Sequence, residues 1–191
     1  MSDRLLLGTR KGLFDLRRAN GAWSIAHSAF LGQPVSMLLA DARDKTIYAA
    51  LALGHFGVHL HRSADDGKTW QEVAAPAFAK VEGAEAETKD KAPSVSLIWA
   101  IEPSDNKPGT LWAGTIPGGL FQSQDRGDSW SLVESLWNKP ERAKWGGGGY
   151  DHPGIHSVCV DPRDSRKVTL AVSTGGVEAA AEPFLPLRRV P

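Results

Sequence analysis

The sequence lacks what several protein classes require. Its 191 residues include a single cysteine, Cys159, which excludes an intramolecular disulfide framework and any cysteine-rich zinc site. No apolar run approaches the ~18 residues of a membrane span, and the three leucines at 5–7, cut off by Gly8, are too short for the core of a signal peptide. A chain with no membrane association and a cytoplasmic location is therefore expected. An excess of one charge is also missing, since 22 Lys and Arg balance 22 Asp and Glu, and no nucleic-acid-binding surface is expected. Sustained 3.6-residue apolar periodicity is absent as well, which argues against a helical bundle or helical solenoid. What remains, 41% hydrophobic and 23% charged residues, suits an ordinary globular core.

A repeat organises that composition. The octet Ser63-Ala64-Asp65-Asp66-Gly67-Lys68-Thr69-Trp70 returns 60 residues later (63 to 123) as Ser123-Gln124-Asp125-Arg126-Gly127-Asp128-Ser129-Trp130, matching at Ser, Asp, Gly, Thr/Ser and Trp. Its flanks repeat too. Short apolar or alternating runs at 35–40, 95–101 and 155–160 each lead to an acidic turn and read as strands. Second strands are expected at 46–51, 110–114 and 168–172, third strands at 57–62 and 119–122, and fourth strands opening at Trp70 and Trp130. Four short strands in about 60 residues fit a propeller blade with enlarged loops. Within each octet, Asp65 or Asp125 can accept hydrogen bonds from the turn's own N–H groups, Gly67 or Gly127 can take positive φ, and the tryptophan can cover the turn. The alternating segment around Cys159 predicts a strand, with the thiol buried as a structural group.

The pattern Ser-x-Asp-x-Gly-x-Thr/Ser-Trp resembles the Asp-box, or BNR, repeat of the sialidase-like propellers, a superfamily that includes sialidases, sortilin-type receptors, xyloglucanases and a photosystem assembly factor. The glycine-rich segment 145–158 and Asp161-Pro162-Arg163-Asp164 resemble a bacterial subgroup of glycosyl hydrolase-like BNR-repeat proteins. The resemblance implies an all-β fold, a partial β-propeller of about three four-stranded blades with Asp-box hairpins, half of a six- or seven-bladed ring. Residues 1–177 would form the propeller part, in units at about 4–30, 35–75, 95–135 and 155–177, the first lacking its inner strand. In the subgroup a third Asp box would follow residue 177. Here 178–191 is rich in Ala, Pro and Arg, a bias like out-of-frame translation, so a non-propeller tail from a frameshifted or shortened gene is expected.

Alternating strand direction puts the octets at one end of each blade and the longer, uneven loops at the other, where ligand contacts are expected. The loop 137–156 gathers Trp145, Tyr150, Asp151, His152 and His156 around four glycines, a combination able to stack a sugar ring. Arg10 and His55 fall in other turns of that end. Ligand-binding candidates are thus Arg10, His55, Trp145, Tyr150 and His156, and Asp151 and His152 are the weak candidates for an acid or base. Glycoside hydrolysis generally requires two carboxyl groups at a defined separation, which a sequence does not measure. The histidines at 55, 59 and 61, or 152 and 156, complete no recognised zinc pattern, so no metal and no cofactor are expected. The charge-mixed run 82–91 reads as a solvated loop. The arginine triad and the Tyr/Glu pair of true sialidases have no counterparts here. A non-catalytic propeller fragment binding a small carbohydrate-like ligand or a protein partner is the favoured reading; the alternative is a glycoside hydrolase-like enzyme.

Overall fold

The computed structural model describes residues 2–79 and 93–180, and the backbone of 188–189; the run 82–91 lies outside the described residues. Glycine, proline and Asp/Asn turns break the apolar segments into strands of two to nine residues, which pair with their sequence neighbours into four antiparallel sheets. The first holds β1 (Arg4–Thr9), β2 (Gly12–Ala19) and β3 (Ala22–Ala29). The second holds β4 (Val35–Ala40), β5 (Ile47–Ala52), β6 (Val58–Ser63) and β7 (Gln71–Val73). The third holds β8 (Leu97–Pro103), β9 (Leu111–Ile116), β10 (Leu120–Ser123) and β11 (Ser131–Leu132). The fourth holds β12 (Ile155–Asp161), β13 (Asp164–Val172), β14 (Gly176–Ala180) and β15 (Arg188–Arg189). One helical turn, α1 (Glu134–Trp137), and a 3-10 turn over Pro140–Lys144 lie between the third and fourth.

The sheets stack face to face. Leu13 meets Val35, Ala49 and Leu51 between the first and second, with Leu6 packed alongside. Tyr48, Ala50 and Leu60 meet Ile98, Ile101 and Leu111 between the second and third. Ala100, Trp112 and Leu120 meet Ile155, Val158, Val168, Leu170 and Val172 between the third and fourth. A second strand covered on both faces must be apolar at consecutive positions, and β9 is buried along its whole length. Each second strand also touches the first strand of the next sheet, β5 with β8 and β9 with β12, and β1 makes this same contact with β4. By position β1 is therefore a second strand, and no described strand fills the first place in its sheet.

The described residues form one three-stranded and three four-stranded sheets. Two expectations change. The tail boundary at 177 does not hold: β14 continues to Ala180, pairing Glu178 with Leu170, and Arg188 and Arg189 pair with Ala179 and Glu178. Cys159 is exposed, not buried. In β12 it is Val158 that turns inward, and the next residue faces away from the third sheet.

Candidate functional site

Both octets fold as turns locked by their own side chains. Asp65 accepts from Thr69 N at 2.9 Å, Thr69 Oγ1 at 2.6 Å and Ser63 Oγ at 2.8 Å, while Ser63 Oγ accepts from Gly67 N at 2.9 Å. Asp125, Ser129, Ser123 and Gly127 repeat every one of these bonds. Asp66 and Arg126 take φ of 66° and 65°, and Gly67 and Gly127 each take 87°, the left-handed pair that closes the turn. Hydrogen bonding from Thr69 holds the Asp65 carboxyl at about 2. The turns also clamp neighbouring blades. Arg4 and Arg17 of the first sheet bind Asp66 of the second, and Arg62 of the second binds Asp128 of the third. Trp130 Nε1 donates to Ala74 O at 2.9 Å. These contacts close the turns and join neighbouring sheets.

The opposite end carries a different arrangement, and β-bulges build it. Register shifts fall at Ser36 in β4, Trp99 in β8 and His156 in β12, the same position in three successive first strands. A bulge leaves one residue unpaired and re-aims its side chain. Trp99 and His156 thereby approach with ring centroids 5.6 Å apart, and Tyr150 from the 137–156 loop stands edge-on to Trp99 at 5.1 Å. Gly154 permits the approach, since a Cβ there would lie 2.5 Å from Ile116 Cγ1 and 2.7 Å from the Trp99 ring. Tyr150 keeps 53% of its surface in solvent, so the cluster presents an open aromatic face.

The loop bearing Tyr150 is fastened along its length. Thr174 Oγ1 accepts from Gly146 N at 2.8 Å and donates to Gly146 O at 2.6 Å, and Ser173 Oγ accepts from Gly154 N at 2.9 Å. The Arg142 guanidinium lies 3.5 Å over Trp137 and 5.6 Å from the Trp145 ring, and burial lowers its pKa. Trp145 is thus half-buried within the loop's support. Lys139 Nζ binds the buried Glu178 at 2.5 Å, which ties the loop to β14.

Asp151 and His152 are exposed on the same loop. Arg10 is exposed in the β1–β2 turn and His55 in the 3-10 turn Gly54–Phe56. Among the described residues no hydrogen bond joins Arg10 or His55 to Tyr150, Asp151 or His152. The structure thus brings together Tyr150 and His156 with Trp99, which sequence reasoning passed over; its signal was a large aromatic at the bulge position that Ser36 and His156 share. His59 and His61 diverge: His59 Nδ1 lies 2.6 Å from Glu72 Oε1, while the His61 ring lies 4.8 Å from that of Phe30, tilted by 60°. Among the described residues no group of three or more His, Cys, Asp or Glu could hold a metal ion, and no helix is long and apolar enough to cross a membrane.

The acids are unevenly placed. On the loop end, the described connections contain Glu134, Glu141 and Asp151. At the other end Asp15, Asp41, Asp44, Asp161 and Asp164 each pair with an arginine. A groove of about 740 Å³ opens there, lined among others by Arg43, Glu102, Asp161, Arg163 and Asp164. Its charged walls are largely paired with each other. Glu102, with its pKa raised by burial, stands within it.

No protein-family model matches the sequence, and no curated protein does. Solved structures match the fold. The GH74 xyloglucanase from Xanthomonas campestris aligns over 97% of this chain with a TM-score of 0.62 and 18% identity, and YCF48 from Cyanidioschyzon merolae over 94% with a TM-score of 0.51 and 13% identity. The chain spans 27% of the first protein and 52% of the second. With four stacked antiparallel sheets of this topology, it is a partial β-propeller.

Proposed function

We propose that this propeller fragment is a non-catalytic binding module whose ligand sits on the loop end, against Tyr150, Trp99 and His156. The observation that carries the reading is the open aromatic face, half of Tyr150 in solvent, assembled by two bulges and a fastened loop. Aromatic faces of this kind stack on the apolar faces of sugar rings or on side chains of a partner, at roughly 0.5–1.5 kcal/mol per ring contact. Cleavage by the usual route would require a second carboxyl group ~5–10 Å from Asp151, whereas the aromatic cluster suffices for binding.

The fold's likeness to a xyloglucanase makes neutral glucan oligosaccharides the first probes. Titration followed by tryptophan fluorescence should show saturable binding, weakened at least ~10-fold by Tyr150→Ala, a loss of about 1.4 kcal/mol. Absence of binding to such oligosaccharides would remove the carbohydrate reading and leave a protein partner. Release of reducing ends that disappears in Asp151→Asn would instead establish the glycoside hydrolase-like alternative.

A further inference from the structure

The groove at the octet end holds one carboxylate that the fold does not use. Ser63 pairs with Ile47 and Ser123 with Leu111, so the residues that follow, Tyr48 in β5 and Trp112 in β9, occupy one place in their sheets. Their partners on the first strands correspond as well, Leu39 opposite Tyr48 and Glu102 opposite Trp112. Leu39 packs into the apolar cluster between the second and third sheets. Glu102 takes the same place at the next joint, because residues directly opposite share a sheet face and Trp112 lies in the cluster between the third and fourth sheets. A carboxylate thus stands where the preceding blade has leucine. This joint is internal to the array, with a sheet on either side.

Glu102 is half-buried, and burial alone raises its pKa; among the described residues no hydrogen bond or ion pair compensates it. Each of the other charged residues lining the groove is engaged. Arg43 chelates Asp41 and donates to Thr110 O at 2.9 Å. The Asp105 carboxylate accepts from Lys107 N and Thr110 Oγ1, each at 2.6 Å. Arg163 binds Asp161, and Arg166 binds Asp164. Opposite Glu102, Trp112 is 1% exposed and its indole Nε1 is buried without a hydrogen-bond partner. An acceptor and a donor are therefore both left unsatisfied at one place in the third sheet, which costs stability unless something meets them. Pro103, Val158 and Val160 add apolar walls to the same groove, and its volume of about 740 Å³ suits a small ligand or a side chain, such sites being roughly 300–1,000 Å³.

We propose that this groove binds an alkylammonium group, with the cationic head on Glu102 and the aliphatic stem along Pro103, Val158 and Val160. The carboxylate sets the sign of the ligand: an anion would meet like charge, and a neutral group would leave the ion uncompensated. The walls set its body, because a methylene chain lies on apolar surface while its charged end reaches a polar partner. A lysine side chain of a partner protein and a free aliphatic amine present this same chemistry. The site lies at the opposite end of the blades from Tyr150 and is independent of the ligand reading given there.

Titration calorimetry with n-butylammonium chloride and with the peptide acetyl-Gly-Gly-Lys-Gly-Gly-amide, against sodium chloride of equal ionic strength, tests the proposal. Saturable binding is expected, weakened at least ~10-fold in Glu102→Gln, with circular dichroism identical to the parent showing that the variant is folded. Tighter binding of the peptide would assign the groove to a protein's lysine, and tighter binding of butylammonium to a free amine. In the parent, the indole N–H resonance of Trp112, identified by its absence from Trp112→Phe, should shift along the titration and so place the ligand without any change at Glu102. Glu102→Leu, which copies Leu39, should abolish binding and raise the urea unfolding midpoint above the parent's. No saturable binding of either probe, equal binding in Glu102→Gln, an unmoved Trp112 resonance, or a Glu102→Leu midpoint at or below the parent's would overturn the proposal.

Discussion

Replacing Lys139 by methionine tests how the fourth blade is held. Glu178 is 1% exposed and its carboxylate meets Lys139 Nζ at 2.5 Å, the lysine itself being 14% exposed. Removing one partner of a buried pair leaves the other charge without compensation, at about 3–5 kcal/mol. The lysine reaches solvent at one edge, so about 3 kcal/mol is the expected loss, a large part of the roughly 5–15 kcal/mol that holds a domain folded. With a urea slope of about 2 kcal/mol per molar, the unfolding midpoint should fall by about 1.5 M. Lys139→Met combined with Glu178→Met should regain most of this, since an apolar pair of similar volume carries no stranded charge. A midpoint shift under about 0.3 M in the single variant, or a double variant less stable than the single, would refute the placement of Glu178 inside the fourth sheet.

Gly154→Ala should destabilise the chain by roughly 1–3 kcal/mol through overpacking, because the new methyl collides with Ile116 and the Trp99 ring; thermal unfolding followed by tryptophan fluorescence reads it, and an unchanged midpoint would mean that the loop does not seat against β8. Burial holds the pKa of His61 below its ordinary 6.5, so folding favours the neutral ring: that contribution is present above about 6.5 and is lost as pH falls from there through the folded value. His59 behaves oppositely, raised chiefly by its hydrogen bond to Glu72, with a contribution present below about 6.5 and lost as pH rises through its folded value. Between about pH 7 and pH 5 the two oppose each other, so His61→Leu should make the stability read by melting at pH 5 more favourable relative to pH 7 than in the parent, and an unchanged pH dependence would exclude a His61 contribution.

The blades were legible in the sequence because two requirements leave local marks. A turn that must satisfy its own N–H groups needs Ser, Asp and Gly at fixed offsets, and Ser63, Asp65 and Gly67 meet it as Ser123, Asp125 and Gly127 do. A strand covered on both faces needs consecutive apolar residues, as β5 and β9 have. The fourth blade lacked the first mark. Ala180 pairs with Val168 where Ser63 pairs with Ile47 and Ser123 with Leu111, so the sequence carries no octet there to mark where the third strand ends. The candidate site was legible only as composition. Aromatics and glycines at 145–156 marked a loop, but what joins Tyr150 to His156 is Trp99, some 50 residues earlier in the chain, turned there by a bulge that changes register without changing residue type. Cys159 shows the same limit: an alternating segment predicts that every other residue is buried, but which set faces inward follows from the neighbouring sheet, and Ile155 and Val158, two apolar residues on either side of a bulge, already take that face. Periodicity therefore specifies strands, whereas the cross-strand partner of each residue, and with it the chemistry of the open end, is decided by packing between segments far apart in the chain.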